Sequence, residues 1–164
     1  MVHSNDPASP AIQDFYEEDF SWCYGCGRLN DRGHHFRTRW NQDETLTEYL
    51  PLPEHIAIPG FVYGGLLASL LDCHSTGSAA LALYRRDGHE PGDTALVPRC
   101  VTASLKVDYL KPTPLGLLLS AHGHIVEIGN RKVVVHSELY AGDDICVRSE
   151  AVAVVAPNTM TPRA

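Results

Sequence analysis

No run of lysine and arginine occurs anywhere in the 164 residues, and the 13 that are present are outnumbered by 20 Asp and Glu, for a net charge of −7. Five of the acids (Asp6, Asp14, Glu17, Glu18 and Asp19) crowd a leader without Lys or Arg, which leaves the rest of the chain near balance at −2. Proteins that bind nucleic acid draw affinity from clustered cations that neutralise phosphates, and this chain lacks such a cluster. It also lacks a positive segment followed by an apolar stretch at its start, where Met1 to Phe20 offers Pro, Ser, Asp and Glu, so secretion is not expected. Cysteine is scarce and odd in number: Cys23, Cys26, Cys73, Cys100 and Cys146 have no regular spacing and read as reduced thiols in a cytoplasm. An unbroken apolar span is missing too. Between His55 and Tyr84 the sole formal charge is Asp72, but Pro59, Gly60, Gly64 and Gly65 interrupt the stretch. A carboxylate in mid-membrane would cost roughly 2.5–3.5 kcal/mol. The expectation is a cytoplasmic chain with no membrane and no nucleic-acid partner. At 44% hydrophobic it can bury the core of one domain.

Residues 1–20 read as a flexible acidic arm with one short helical turn at Ile12 to Asp19, residues 21–157 as the domain, and residues 158–164 as a tail. Trp22-Cys23-Tyr24-Gly25-Cys26-Gly27 is a turn-rich knot, followed by a turn at Asn30 to Gly33. His35 to Trp40 and Thr45 to Leu50 are expected strands, and Pro51 to Phe61 a loop. A helix opens at Gly64 or Gly65 and runs to about Tyr84. Its apolar face carries Leu67, Leu70, Leu71, His74, Ser78 and Leu81, and the opposite stripe carries Gly65, Ala68, Ser69, Asp72, Thr76 and Ala79. Small side chains let a second backbone or a slender ligand approach, so both sides should be covered. After a loop at Asp87 to Pro98, four strands follow at Thr102 to Leu110, Leu117 to Ile128, Lys132 to Tyr140 and Ile145 to Val155. Their short connections make neighbours antiparallel. The fold class is α+β, one long central helix wrapped by a curved antiparallel sheet.

The stretch from Gly60 to Asp72 holds the chemistry. Paired glycines at a helix start leave free N–H groups, with no side chain in front, at the positive end of the helix dipole. That is a site for a carbonyl or oxyanion. Asp72 lies in an apolar helix, where burial penalises its charged form, a common preparation for base or nucleophile duty. The bland alternatives are a tight turn for the glycines and a structural cap or ion pair for Asp72. Seven residues separate Gly65 from Asp72, about 10 Å along the axis at roughly 1.5 Å per residue. One small carbonyl cannot touch both. If they serve one bond, the donors come from one subunit and the carboxylate from another, across a two-fold axis that sets two helices antiparallel. A homodimer, or a dimer of dimers, is therefore expected.

Pro59 to Gly65, with Asp72 seven residues on, resembles the signature of hotdog-fold acyl-CoA thioesterases of the phenylacetate-pathway and thioesterase-superfamily type. Cys23-Tyr24-Gly25-Cys26-Gly27, with Asn30 and Gly33, resembles the N-terminal motif of one branch, and Val101 to Pro112 the family's next strand. The resemblance covers about residues 22–156. It implies a hotdog fold, hydrolysis of an acyl-CoA to a free carboxylic acid and CoA, and no cofactor or metal. It also implies that Gly64 and Gly65 polarise the thioester carbonyl, that Asp72 activates water or attacks directly, and that Thr102 orients the water or the carboxylate. Tyr63 stands where the family usually has His. A phenol can donate a hydrogen bond, but with a pKa near 10 it is no base at neutral pH. His55 is a substitute candidate.

Other residues have rival readings. His55, Ser69, Arg131 and Lys132 are candidate substrate contacts, although for the last two, which follow a turn, a solvated hairpin end is the better reading. Cys23 and Cys26 are spaced like half a zinc site, with His34 and His35 as partners, whereas the resemblance gives them a packing role. Cys73 and His74 are adjacent on the helix and point about 100° apart, so they do not form a nucleophile and base pair; His74 reads as a core histidine. Two other functions stay open beside the thioesterase: a hotdog enoyl-CoA hydratase or dehydratase, for which Tyr63 removes the obvious His, and a silent acyl-CoA-binding protein.

Overall fold

The computed structural model describes residues 9–163. Among the described residues, six strands, β1 (Thr38–Asn41), β2 (Glu44–Tyr49), β3 (Cys100–Tyr109), β4 (Leu119–Ile128), β5 (Lys132–Ala141) and β6 (Asp144–Val155), and one α-helix, α1 (Gly64–Arg86), make up the regular structure apart from two short 3-10 segments. The strands form one antiparallel sheet in the order β1-β2-β4-β5-β6-β3. The helix lies against all six, which is the expected hotdog arrangement.

Burial on α1 explains its apolar sequence. Leu66, Leu67, Leu70 and Leu71 pack with Phe36, Leu119, Leu139 and Val147 at one end of the core. Ala79 to Tyr84 pack with Trp40, Val133, Val135 and Ala153 at the other. The helix has the length and apolarity of a membrane span, yet most of it is buried inside this chain. From Cys73 to Tyr84 every residue is buried, so that half is covered all round. In the first two turns Gly65, Ala68, Ser69 and Asp72 remain partly open. The small-residue stripe is thus covered over Thr76 and Ala79 and open from Gly65 to Asp72.

Polar residues on the buried faces find partners across elements. Thr47 Oγ1 bonds His74 Nδ1 at 2.8 Å and Thr38 Oγ1 at 2.9 Å, and Thr45 bonds Ser78 at 2.6 Å. Gln13 completes the set, accepting the Thr38 N–H at 2.7 Å and donating to the Thr38 hydroxyl at 3.1 Å. Such pairing is what makes burial of these groups tolerable.

The acidic leader differs from a free arm. Its first eight residues lie outside the described ones, but from Ala11 onward it is seated on the domain, with Ile12, Gln13 and Tyr16 buried. The helical turn expected over Ile12 to Asp19 is two short 3-10 segments, Ile12–Phe15 and Glu18–Phe20. Strand β1 starts at Thr38 rather than His35, because His35 takes a left-handed φ of 58° and its ring bonds the Asn30 carbonyl at 2.6 Å. Strand β4 starts at Leu119, after two exposed leucines, Leu117 and Leu118.

Candidate active site

The loop before α1 builds the helix entrance. Gly60, at a φ of 93°, turns the chain so that Ile56 pairs with Val62, and Phe61 pairs with Pro114. The Tyr63 N–H donates to the His55 carbonyl at 3.1 Å, and the Val62 N–H to the Thr113 carbonyl at 2.9 Å. Tyr63 therefore arrives in an extended conformation (φ −71°, ψ 144°) as the residue before the helix, without a side-chain cap bond. Among the described residues, no hydrogen bond consumes the N–H of Gly64 or Gly65. Those two donors are the first of the helix, and the dipole reinforces them.

Neighbouring side chains set this entrance. A Cβ at Gly65 would come within 2.6 Å of the Tyr63 ring, so glycine is what lets the phenol fold over the first turn. Tyr109, at the end of β3, donates its hydroxyl to the Gly64 carbonyl at 2.8 Å and anchors that turn to the sheet. Ser69 donates to the Gly65 carbonyl at 2.8 Å, which commits its proton within the helix. His55 is buried beside Tyr63, with ring centroids 6.5 Å apart. Its Nδ1 accepts the Leu52 N–H at 3.0 Å, so the neutral ring carries its proton on Nε2 as a donor.

Asp72 is half-buried two turns further on, and one of its carboxylate oxygens accepts the Thr102 hydroxyl. No Lys, Arg or His pairs with it among the described residues. The second oxygen is left to accept another donor. Thr102 reaches Asp72 through a bulge in β3, where the register against β6 shifts between Thr102 and Ser104. Before the bulge the even-numbered Cys100 and Thr102 face the helix; after it the odd-numbered Val107 and Tyr109 do. A one-residue insertion changes the side presented by everything beyond it. Without the bulge Thr102 and Tyr109, seven apart, would face opposite ways.

Within one chain, the structure brings Asp72 together with Thr102, and Gly64 and Gly65 together with Tyr63, His55 and Ser69. It does not bring the two groups onto one point. Arg131 and Lys132 sit at the other end of α1, where Arg86 bonds the Gly129 carbonyl at 2.6 Å, about 33 Å from Gly64 at 1.5 Å per residue. Lys132 pairs with Glu127 at 3.0 Å, as a hairpin end does. Tyr109 escaped the sequence reading, since only the bulge reveals which way it faces.

A cluster of three thiols stands beside this site. The Sγ atoms of Cys23, Cys26 and Cys73 lie within 4.8 Å of one another, with Cys23 and Cys73 3.9 Å apart. The Cys26 and Cys73 thiols bond toward Cys23 and hold its pKa far below the usual thiol value, aided by the backbone N–H groups of Cys26 and Gly25. The same bonds push Cys26 up to about 12 and Cys73 well above its usual value. All five cysteines are free thiols. His34 and His35, the partners considered for Cys23 and Cys26, lie elsewhere: His34 bonds the Tyr49 hydroxyl and His35 the Asn30 carbonyl.

The helix wrapped by an antiparallel sheet, with a glycine pair at the helix start and an acid two turns on, defines a hotdog protein. Residues 59–147 match the family model of the thioesterase superfamily, and the chain belongs to that family. It is 42% identical to a thioesterase superfamily protein from Shewanella loihica PV-4, with a TM-score of 0.67 over 88% of this chain and 99% of that one. It is 32% identical over 96 residues to acyl-coenzyme A thioesterase THEM4 of Xenopus laevis, covering 58% of this chain and 37% of that protein. The chain thus spans little more than a third of that curated relative. A Streptococcus mutans protein whose crystal structure holds acetyl-CoA shares the fold, at 18% identity, a TM-score of 0.57, and 74% and 88% coverage of the two chains.

Proposed function

We propose that this protein hydrolyses an acyl-CoA thioester to a free carboxylic acid and CoA, as a cytoplasmic homodimer or dimer of dimers. The observation that supports this reading most directly is Asp72: half-buried, fixed by the Thr102 hydroxyl, and without a cationic partner among the described residues. A structural ion pair would have been the ordinary reason for an acid there. The Thr102 bond orients the carboxylate and leaves its second oxygen for water.

In the proposed step, Asp72 takes a proton from that water as the oxygen adds to the thioester carbonyl carbon. The N–H groups of Gly64 and Gly65 from the facing subunit hold the oxyanion. Collapse then breaks the C–S bond, and the proton goes to the departing CoA thiolate. Tyr63 and the Nε2–H of His55 border the same entrance as further donors. The open stripe from Gly65 to Asp72 is the surface over which two helices would cross. A cavity of about 460 Å³ in the single chain is lined by Trp22, Cys23, Arg99 and Val101, and neither Asp72 nor the glycines border it. An acyl slot formed between two subunits fits that arrangement.

The test is Asp72→Asn assayed for CoA release over aryl, short, medium and long acyl-CoAs. Turnover is expected to fall by about 10²–10⁴-fold, the range of general-base catalysis, with the melting temperature little changed. Undiminished release would defeat the reading. Affinity without turnover in the unmodified protein would favour the silent binder, and water addition to an enoyl-CoA the hydratase.

A further inference from the structure

We propose that Cys23, Cys26 and Cys73 bind one zinc ion through three thiolates, clamping the N-terminal knot onto the central helix. Zinc bonds thiolate sulfur at about 2.3 Å, so the edge of a tetrahedral site is about 3.8 Å. Cys23 and Cys73 already stand 3.9 Å apart, and all three sulfurs fall within 4.8 Å. A disulfide would need two of them at about 2.05 Å. The trio is thus spaced for a shared ion rather than for a bond.

The surroundings are built to that spacing. The Gly27 N–H bonds the Cys23 carbonyl at 2.7 Å, closing a tight turn that sets Cys23 and Cys26 side by side. A Cβ at Gly27 would come within 2.5 Å of the Cys23 backbone, and one at Gly25 within 2.3 Å of the Cys73 sulfur. Gly27 therefore lets the knot close on itself, and Gly25 lets it press on the helix. Cys26 and Cys73 are buried, while Cys23 is half-buried and lines the cavity shared with Trp22, Arg99 and Val101. A water in that cavity would complete four-coordination. Binding engages three thiolates, the sulfurs still protonated releasing their protons to solvent as three Zn–S bonds form, and involves no redox change. The resulting charge of −1 is offset by Arg99, which lines the same cavity as Cys23.

Asp72 and Cys73 are consecutive on α1 and point about 100° apart. The clamp is accordingly a structural element outside the proposed chemistry, and metal content tests it whether or not thioesters are hydrolysed. The full chain, purified from zinc-supplemented medium without chelator, is expected to contain about one zinc per chain, bound by three sulfurs at about 2.3 Å in X-ray absorption. Cys23→Ser and Cys73→Ser should each reduce that to below about 0.1, while Cys100→Ser, a buried thiol outside the trio, should leave it unchanged. Should the serine variants fail to fold, cobalt(II) added to the metal-free natural chain still decides, through thiolate-to-cobalt charge-transfer bands. A natural chain holding less than about 0.1 zinc and showing no such bands with cobalt overturns the proposal. So does a chain two mass units lighter that holds a disulfide and no metal.

Discussion

His74 shows at the level of one residue how the fold suppresses a charge. Burial, reinforced by His122 and His124 on the strand behind it, lowers its pKa to about 3. Its Nδ1 bonds Thr47 and its Nε2 has no partner among the described residues. The unfolded chain binds a proton below about pH 6.5 that the folded chain refuses until about pH 3, so this contribution to stability is present above pH 6.5 and is lost as pH falls. At pH 5 the loss should be about 2 kcal/mol. Urea unfolding at pH 7.5 and pH 5 measures it, and His74→Gln should shrink the difference by about that amount. An unchanged difference in the variant would show that other groups carry the effect. That His74 belongs to the core was legible from its helical position among leucines. Its partner was not, since Thr47 is 27 residues away and only the docking of β2 brings it near.

At the level of elements, α1 is held by close approaches as much as by apolar area. Gly77 faces Gln13 and Thr38 so tightly that a Cβ would stand 2.7 Å from the Gln13 amide nitrogen and 2.9 Å from the Thr38 Cβ. Alanine ordinarily strengthens a helix by about 1 kcal/mol over glycine. Here the short, strand-bound Thr38 cannot move aside, so Gly77→Ala should instead destabilise by about 1–3 kcal/mol. A shift of the urea midpoint to lower concentration checks the sign. The helix and the β4-β5-β6 meander could be read from periodicity and turn residues, but the expected pairing of β3 with its chain neighbour β4 is not formed: β3 crosses over to pair with β6 at the edge of the sheet. Nor could the bulge in β3 be read, because nothing in Thr102-Ala103-Ser104 marks an extra residue until β6 is paired with it.

At the level of the whole molecule, the proposed reaction requires each chain to supply half of two sites. A subunit carrying Asp72→Asn and another carrying Gly65→Val should each be inactive alone. Mixed and re-associated, they should recover about one quarter of the natural activity, because half the dimers are mixed and each mixed dimer keeps one intact pair. No recovery would place the glycines and the acid in the same subunit. Sedimentation should show at least a dimer, and a fully active monomer would dismiss the shared site.

By itself the sequence determined the helix, its glycine entrance, the acid two turns on and the run of antiparallel strands, since these rest on local spacing and turn chemistry. Only the tertiary structure decided which side of β3 faces the helix, that Tyr109 anchors the first turn, that the acidic leader is seated from Ala11 onward, and that Cys73 joins Cys23 and Cys26. Each of these depends on contacts between residues far apart in the chain, whose proximity is created by packing the sheet around α1 and is invisible to any local window.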